Sequence, residues 1–168
     1  MRSGVNQFIE DTLGAKLKNR RWSWGAVDPV SNRVFLRVWE DNIKEDGAAE
    51  KVVVYWKNPA REQSHGYVER RKHIDAIKSG AQGFGVVCRA LDPHAKPRTI
   101  AEFDANALIK LGDLSEDDRA IYAQIVKWIP ISELNQTASR WHWPCKSGFF
   151  IHPFRFPFLV LAHAHHLN

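Results

Sequence analysis

Aromatic rings set beside cations are the feature of this sequence best placed to do chemistry. Seven tryptophans are spread over 168 residues, and several adjoin a basic residue, as in Arg21-Trp22, Trp56-Lys57, Lys127-Trp128 and Arg140-Trp141. Flat bases stack on such rings and phosphates pair with such cations, so the combination points toward nucleic acid. Trp22, Trp24, Trp39 and Trp56 lie in predicted strands and form a candidate cage for a base lifted out of a duplex. The competing reading is that the same rings fill a small core. The formal net charge is +5, and the positive residues collect in two places. Lys18, Arg20 and Arg21 form one group and Arg70, Arg71 and Lys72 the other, and these six are the candidate phosphate contacts.

Other chemistries are less well served. His163, His165 and His166 crowd the C-terminus, with His142, Cys145 and His152 upstream, but one cysteine among scattered histidines lacks the spacing of a zinc site. No metal and no other cofactor is assigned. The carboxylates make no cluster of the kind that holds a divalent ion for hydrolysis. Glu69 and His73 could set an acid and a base on one helix, which keeps a metal-dependent nuclease as an alternative, although the set is unspecific and an exposed charged helix face explains it more cheaply. Gly80 to Gly85 precedes a strand and lacks the lysine of a phosphate-binding loop. The two cysteines, Cys88 and Cys145, are far apart and suggest no disulfide framework, so a reducing cytoplasmic setting is expected. The N-terminus has no signal-like apolar core, and the apolar run Phe156 to Ala162 is broken by Pro157 and is far shorter than the ~20 residues a bilayer requires.

The elements that must position these residues can be read in order. Phe8, Ile9, Leu13 and Leu17 are spaced as one face of a short amphipathic helix over Val5 to Leu17, with Gly14 its weak point. A hairpin follows: a strand from Trp22 to Val27, a turn on Asp28, Pro29, Ser31 and Asn32, and a strand from Arg33 to Trp39. In the second strand Val34, Leu36 and Val38 share one face, expected to be core. Phe35, Arg37 and Trp39 share the other, expected to be a recognition surface. Asn42 to Glu50 reads as a polar loop and Lys51 to Trp56 as a strand. Asn58-Pro59 then opens a surface loop carrying Arg61, Ser64 and His65.

Tyr67 to Lys78 is a helix stopped by Ser79-Gly80. Gly83 to Ala90 is a strand whose two glycines allow close approach of a neighbour, and Cys88 within it is expected to pack as a small hydrophobe. Arg98 to Phe103 reads as a strand, Ala105 to Leu111 as a short helix ended by Gly112, Asp113 to Asp118 as an acidic connector, and Ile121 to Ile129 as a last strand. Residues 1–134 thus form one α+β domain. Residues 135–168 are an aromatic- and proline-rich tail, for which an arm across the domain, a lead-in to a second domain and an end peculiar to this chain all stay open.

The order of hairpin, VVVYW strand, GYVERRKHIDAIKSG helix, GFGVV strand and closing IYAQIVKWIPISEL resembles the PUA-like superfamily, nearest its EVE and YTH-type branch. The resemblance runs from about Leu17 to Leu134. It implies a curved, mixed β-barrel flanked by helices and an aromatic cage for a modified base. LGAKLKNRRWSWGAVD with VFLRVWED is also similar to the N-terminal part of bacterial proteins that carry an HNH nuclease module downstream, although no His-Asn-His segment occurs here. Together these imply a non-catalytic, DNA-binding specificity domain of a modification-dependent restriction system. Its partner would be a duplex with a modified base, and a homodimer or a downstream nuclease module is the implied assembly. The alternatives from other classes are the nuclease above and a protein-interaction domain whose tail is a dimer arm.

Overall fold

The hairpin forms where the sequence places it, because its turn is built from residues that satisfy their own backbone. In the computed structural model, which describes residues 4–47 and 49–134, β1 (Gly25–Asp28) pairs antiparallel with β2 (Arg33–Trp39). Asp28 Oδ1 accepts the Val30 N–H at 3.0 Å, Asp28 also takes the Ser31 hydroxyl, and Asn32 adopts φ 52 in the left-handed region that asparagine tolerates. The first strand is shorter than expected: Trp22, Ser23 and Trp24 precede it.

After a single 3₁₀ turn, β3 (Ile43–Asp46) lies within the expected polar loop and forms an edge against β4 (Ala49–Trp56). A 3₁₀ turn, Pro59–Arg61, leads into the longest helix, α2 (His65–Lys78), which ends at Ser79 and at Gly80 with φ 102. The connection through β3, β4 and the helix brings β5 (Gln82–Ala90) parallel to β2. β6 (Ile100–Phe103) pairs with β5, and the long antiparallel strands β7 (Ala107–Glu116) and β8 (Ala120–Pro130) follow.

One mixed eight-stranded sheet results, in the order β1-β2-β5-β7-β8-β4-β3 with β6 beside β5. Among the described residues no ladder joins β1 to β3, so the sheet is open. Val34, Leu36 and Val38 of β2 nonetheless share a cluster with Val52, Val54 and Tyr55 of β4, although three strands lie between β2 and β4 in the sheet, and Ile74 of α2 packs into it. The sheet therefore bends around that cluster.

The opposite face is also core. Phe35 and Phe84 are fully buried and stacked at 5.5 Å, with Phe8, Ile9, Leu13 and Leu17 over them. This corrects the expectation of a recognition surface on the Phe35 face: the N-terminal segment covers it. That segment is an abbreviated helix, α1 (Val5–Gln7), continued by a π-helical turn over Phe8–Thr12. It stops before Gly14 at φ +68, and Lys16 then bridges to Val27 as extended chain.

The expected helix over Ala105 to Leu111 and the acidic connector after it are instead the single strand β7. Leu108 faces one cluster while Ile109 and Leu111 face the other, with a bulge between Lys110 and Leu111. A strand buried on both faces reads as a continuous apolar run, which helical spacing mimics. Asp104 adds to the mimicry, because its carboxylate accepts the N–H groups of Asn106 and Ala107 as a helix cap would. The glycines of β5 serve close packing as expected: a Cβ on Gly85 would meet the Ile109 side chain at 2.6 Å. Cys88 is buried in the N-terminal cluster, and burial pushes its thiol up to about 11. The predicted tail, residues 135–168, and its histidines lie outside the described residues.

Candidate ligand cleft at the start of helix α2

Because β1 begins only at Gly25, the segment Asn19 to Trp24 is free to arch over the first turn of α2. Polar groups far apart in sequence strap the arch down. The Ser23 N–H donates to Asn19 O at 2.9 Å and the Asn19 N–H to Ser23 Oγ at 2.9 Å, which closes the arch on itself. The buried Ser23 hydroxyl donates to Glu69 Oε1 at 2.8 Å. Arg37 donates a guanidinium N–H to Ser23 O and its backbone N–H to Trp24 O. Arg70 donates from Nη2 to both Trp24 O and Arg37 O at 2.8 Å. A Cβ on Gly66 would stand 3.3 Å from Trp22 O, so the glycine lets the arch close on the helix.

Two tryptophan side chains are thereby presented on one wall of a cleft of about 420 Å³, lined by Trp22, Trp24, Arg61, Gln63, Ser64, His65, Gly66 and Tyr67. That volume lies within the roughly 300–1,000 Å³ of small-ligand sites. The Trp22 and His65 rings lie 5.3 Å apart at 31°, and Lys18 Nζ stands 6.0 Å from the Trp22 ring. Trp24 is 44 % exposed, enough to offer a ring face to a ligand. Tyr67 meets Tyr55 edge-on at 5.5 Å, and the Arg71 guanidinium sits 5.7 Å from the Tyr55 ring, which extends the aromatic wall along the helix. Burial raises the Tyr67 phenol, with Arg61 acting against the shift.

Of the four candidate cage residues, the fold brings together Trp22 and Trp24. Trp39 packs against the N-terminal cluster on the side of the sheet away from α2, with Arg98 over its ring at 5.4 Å. Trp56 ends β4, 42 % exposed, and does not line the cleft.

The candidate phosphate contacts divide three ways. Lys18, Arg21 and Lys72 are exposed, and among the described residues no carboxylate pairs with them. Arg20 is held by Glu10 and Arg71 by Glu62 at 3.6 Å, beside its hydrogen bond to Tyr55. Arg70 is buried and holds the arch. Desolvation, with Arg37 adding to it, lowers Arg70 to about 9.

Glu69 and His73, the acid and base of the nuclease alternative, are both buried behind the arch. Burial, with Arg70 second, lowers His73 to about 4, so the imidazole is neutral at physiological pH. Among the described residues no three His, Cys, Asp or Glu side chains are grouped as metal ligands, and no helix is long and apolar enough to cross a membrane.

Arg61, His65 and Tyr67 were not among the candidate site residues, although the sequence puts Arg61 and His65 on a surface loop. Their local signal is an aromatic, Tyr67, opening a helix directly after a basic and polar loop. Comparison of the chain with protein-family models, with curated proteins and with solved structures finds no significant match, so the function of this cleft is argued from its own geometry.

Proposed function

We propose that this domain is a DNA-binding specificity module that takes a modified base, turned out of the duplex, into the cleft between Trp22, Trp24 and the start of α2. On this reading the bent sheet is a curved barrel of the PUA-like kind, and the domain delivers recognition to a restriction system whose cutting activity resides in a separate module. The observation that carries the proposal is a pair of tryptophans on a hydrogen-bonded arch beside His65 and Tyr67, in a cleft with cationic and no carboxylate lining. Base-aromatic stacking contributes ~1–3 kcal/mol per base, and the hydrogen bonds of the arch fix the backbone that carries the rings before a ligand arrives. Lys18, Arg21 and Lys72 serve the phosphates as exposed cations. Arg20 and Arg71 do so less freely, since each already holds a carboxylate. Glu69 and His73 contribute through the scaffold, because neither reaches a substrate.

The test is a gel-shift panel of unmodified, methylated, hydroxymethylated and phosphorothioated duplexes. At least one modified duplex is expected to bind about 5-fold or more tighter than plain duplex, with the selectivity lost in Trp22→Ala at unchanged melting temperature. Equal affinity across the panel overturns the reading.

A further inference from the structure

Among the described residues Arg61 is the one arginine that lines the cleft, and no carboxylate pairs with it. It closes a 3₁₀ turn that is fixed at both ends: the Ala60 N–H donates to Asn58 Oδ1 at 3.2 Å, the Arg61 N–H to Asn58 O at 2.9 Å, and the Ser64 N–H to Arg61 O at 2.8 Å. The neighbouring carboxylate, Glu62, is taken by Arg71, and no Asp or Glu lines the cleft. Among the described residues Arg61 has no ion-pair partner, and its charge is felt at Tyr67 across the cleft wall. The first turn of α2 supplies His65, Gly66 and Tyr67 to the same wall, at the end of the helix that carries partial positive charge. Arg61 is exposed and hydrated, so a neutral flat ligand would gain nothing from it, whereas an anionic one would pair with it through the planar fork that suits phosphate.

We infer that the cleft binds a nucleotide as a unit, with the base on Trp22 and Trp24 and its own phosphate on Arg61, so that a free deoxynucleoside monophosphate suffices as ligand. This rests on the proposed base-binding reading and adds to it a phosphate subsite distinct from the exposed cations that would track the duplex. It also implies that mononucleotides compete with DNA for the cleft.

The experiment titrates the protein with deoxyadenosine and deoxycytidine 5′-monophosphates, plain and methylated, and with the corresponding nucleosides, following tryptophan fluorescence and heat. The monophosphates are expected to bind about 10-fold more tightly than their nucleosides, in keeping with a charge-assisted hydrogen bond. Arg61→Ala should erase that difference while leaving nucleoside affinity and melting temperature in place, and Arg61→Lys should restore part of it. Equal affinity for nucleoside and monophosphate overturns the phosphate subsite but leaves base binding standing. If Arg61→Ala weakens nucleoside and monophosphate alike, Arg61 shapes the cleft and the subsite is again overturned. Binding of neither overturns the inference, and if Trp22→Ala then also leaves duplex binding intact, the base-binding reading falls with it.

Discussion

Among the described residues, the cleft at α2 and a second of similar size have their charges organised in opposite ways. The cleft at α2 holds two tryptophans, a histidine and a tyrosine beside Arg61, which no carboxylate claims. The second, of about 350 Å³ and bounded by β5, β6 and β8, holds Trp128 and Phe103 among Glu40, Glu102 and Asp104. Its one basic residue, Arg89, is paired with Glu40 at 3.3 Å and with Glu102. An exposed ring is thus present in both, since Trp128 is 45 % exposed and Trp24 44 %. What differs is that the second cleft is neutralised internally with an acidic excess and would repel phosphate, while the first keeps a cation available. Aromatic exposure alone therefore does not distinguish a site; the pairing state of the neighbouring charge does.

The largest effect expected concerns the support under the first cleft, which the second lacks. Glu69 is the carboxylate that offsets Arg37 and Arg70 inside the protein. Glu69→Gln leaves the buried Arg70 guanidinium and the half-buried Arg37 guanidinium repelling each other without that offset and should cost on the order of 3–5 kcal/mol in urea unfolding. Glu102→Gln, in the exposed pair with Arg89, should cost less than ~1 kcal/mol. Equal losses would remove the contrast.

Acid should act through the same buried support. His73 is held neutral, with its folded value near 4 against an ordinary 6.5. Below the ordinary value the unfolded chain takes up a proton that the folded chain refuses, so stability falls as pH drops from about 6.5 to about 4. The total for a shift of this size is on the order of 3 kcal/mol. The melting temperature of His73→Gln should show a shallower decline over that window, and a decline as steep as the parent's would acquit His73.

A smaller and more selective effect is expected at the rings. Trp24→Ala should lower affinity for the preferred modified duplex by roughly 5- to 150-fold and leave plain-duplex binding nearly intact. Trp128→Ala should change neither. Trp39→Ala should instead lower stability, because its ring packs on the N-terminal cluster. Selective loss of modified-duplex affinity in Trp128→Ala would show that the acidic cleft is the reader.

The smallest effect is diffuse. Reversing Lys18 and Arg21 together should weaken binding to all duplexes about equally and flatten the salt dependence, since such cations act by releasing counterions. Reversing Arg20 should do less, because Glu10 already holds it. Affinity that does not change between low and moderate salt would dismiss the exposed cations altogether.

Sequence by itself determined the elements whose signals are local. The bounds of β2, the Asp28-Asn32 turn, the Ser79-Gly80 end of α2 and the packing glycines of β5 follow from alternation, side-chain hydrogen bonding over a few residues and backbone permissiveness. Sequence also set Trp22 and Trp24 next to one another and beside cations.

The tertiary structure alone decided the rest. Whether Ala107 to Leu111 is helix or strand turned on β5 and β8 pairing with it, because a run buried on both faces has no period of its own. That neither face of β2 stayed open turned on the N-terminal segment covering Phe35. Arg70 looks like its neighbours Arg71 and Lys72 in the sequence, yet it is buried, because its acceptors are Trp24 O and Arg37 O, 46 and 33 residues away. Arg61 is available for the converse reason, since Arg71, in the second turn of α2, claims Glu62. The role of a charge depends on its partners in space, and neither composition nor spacing along the chain records who those partners are.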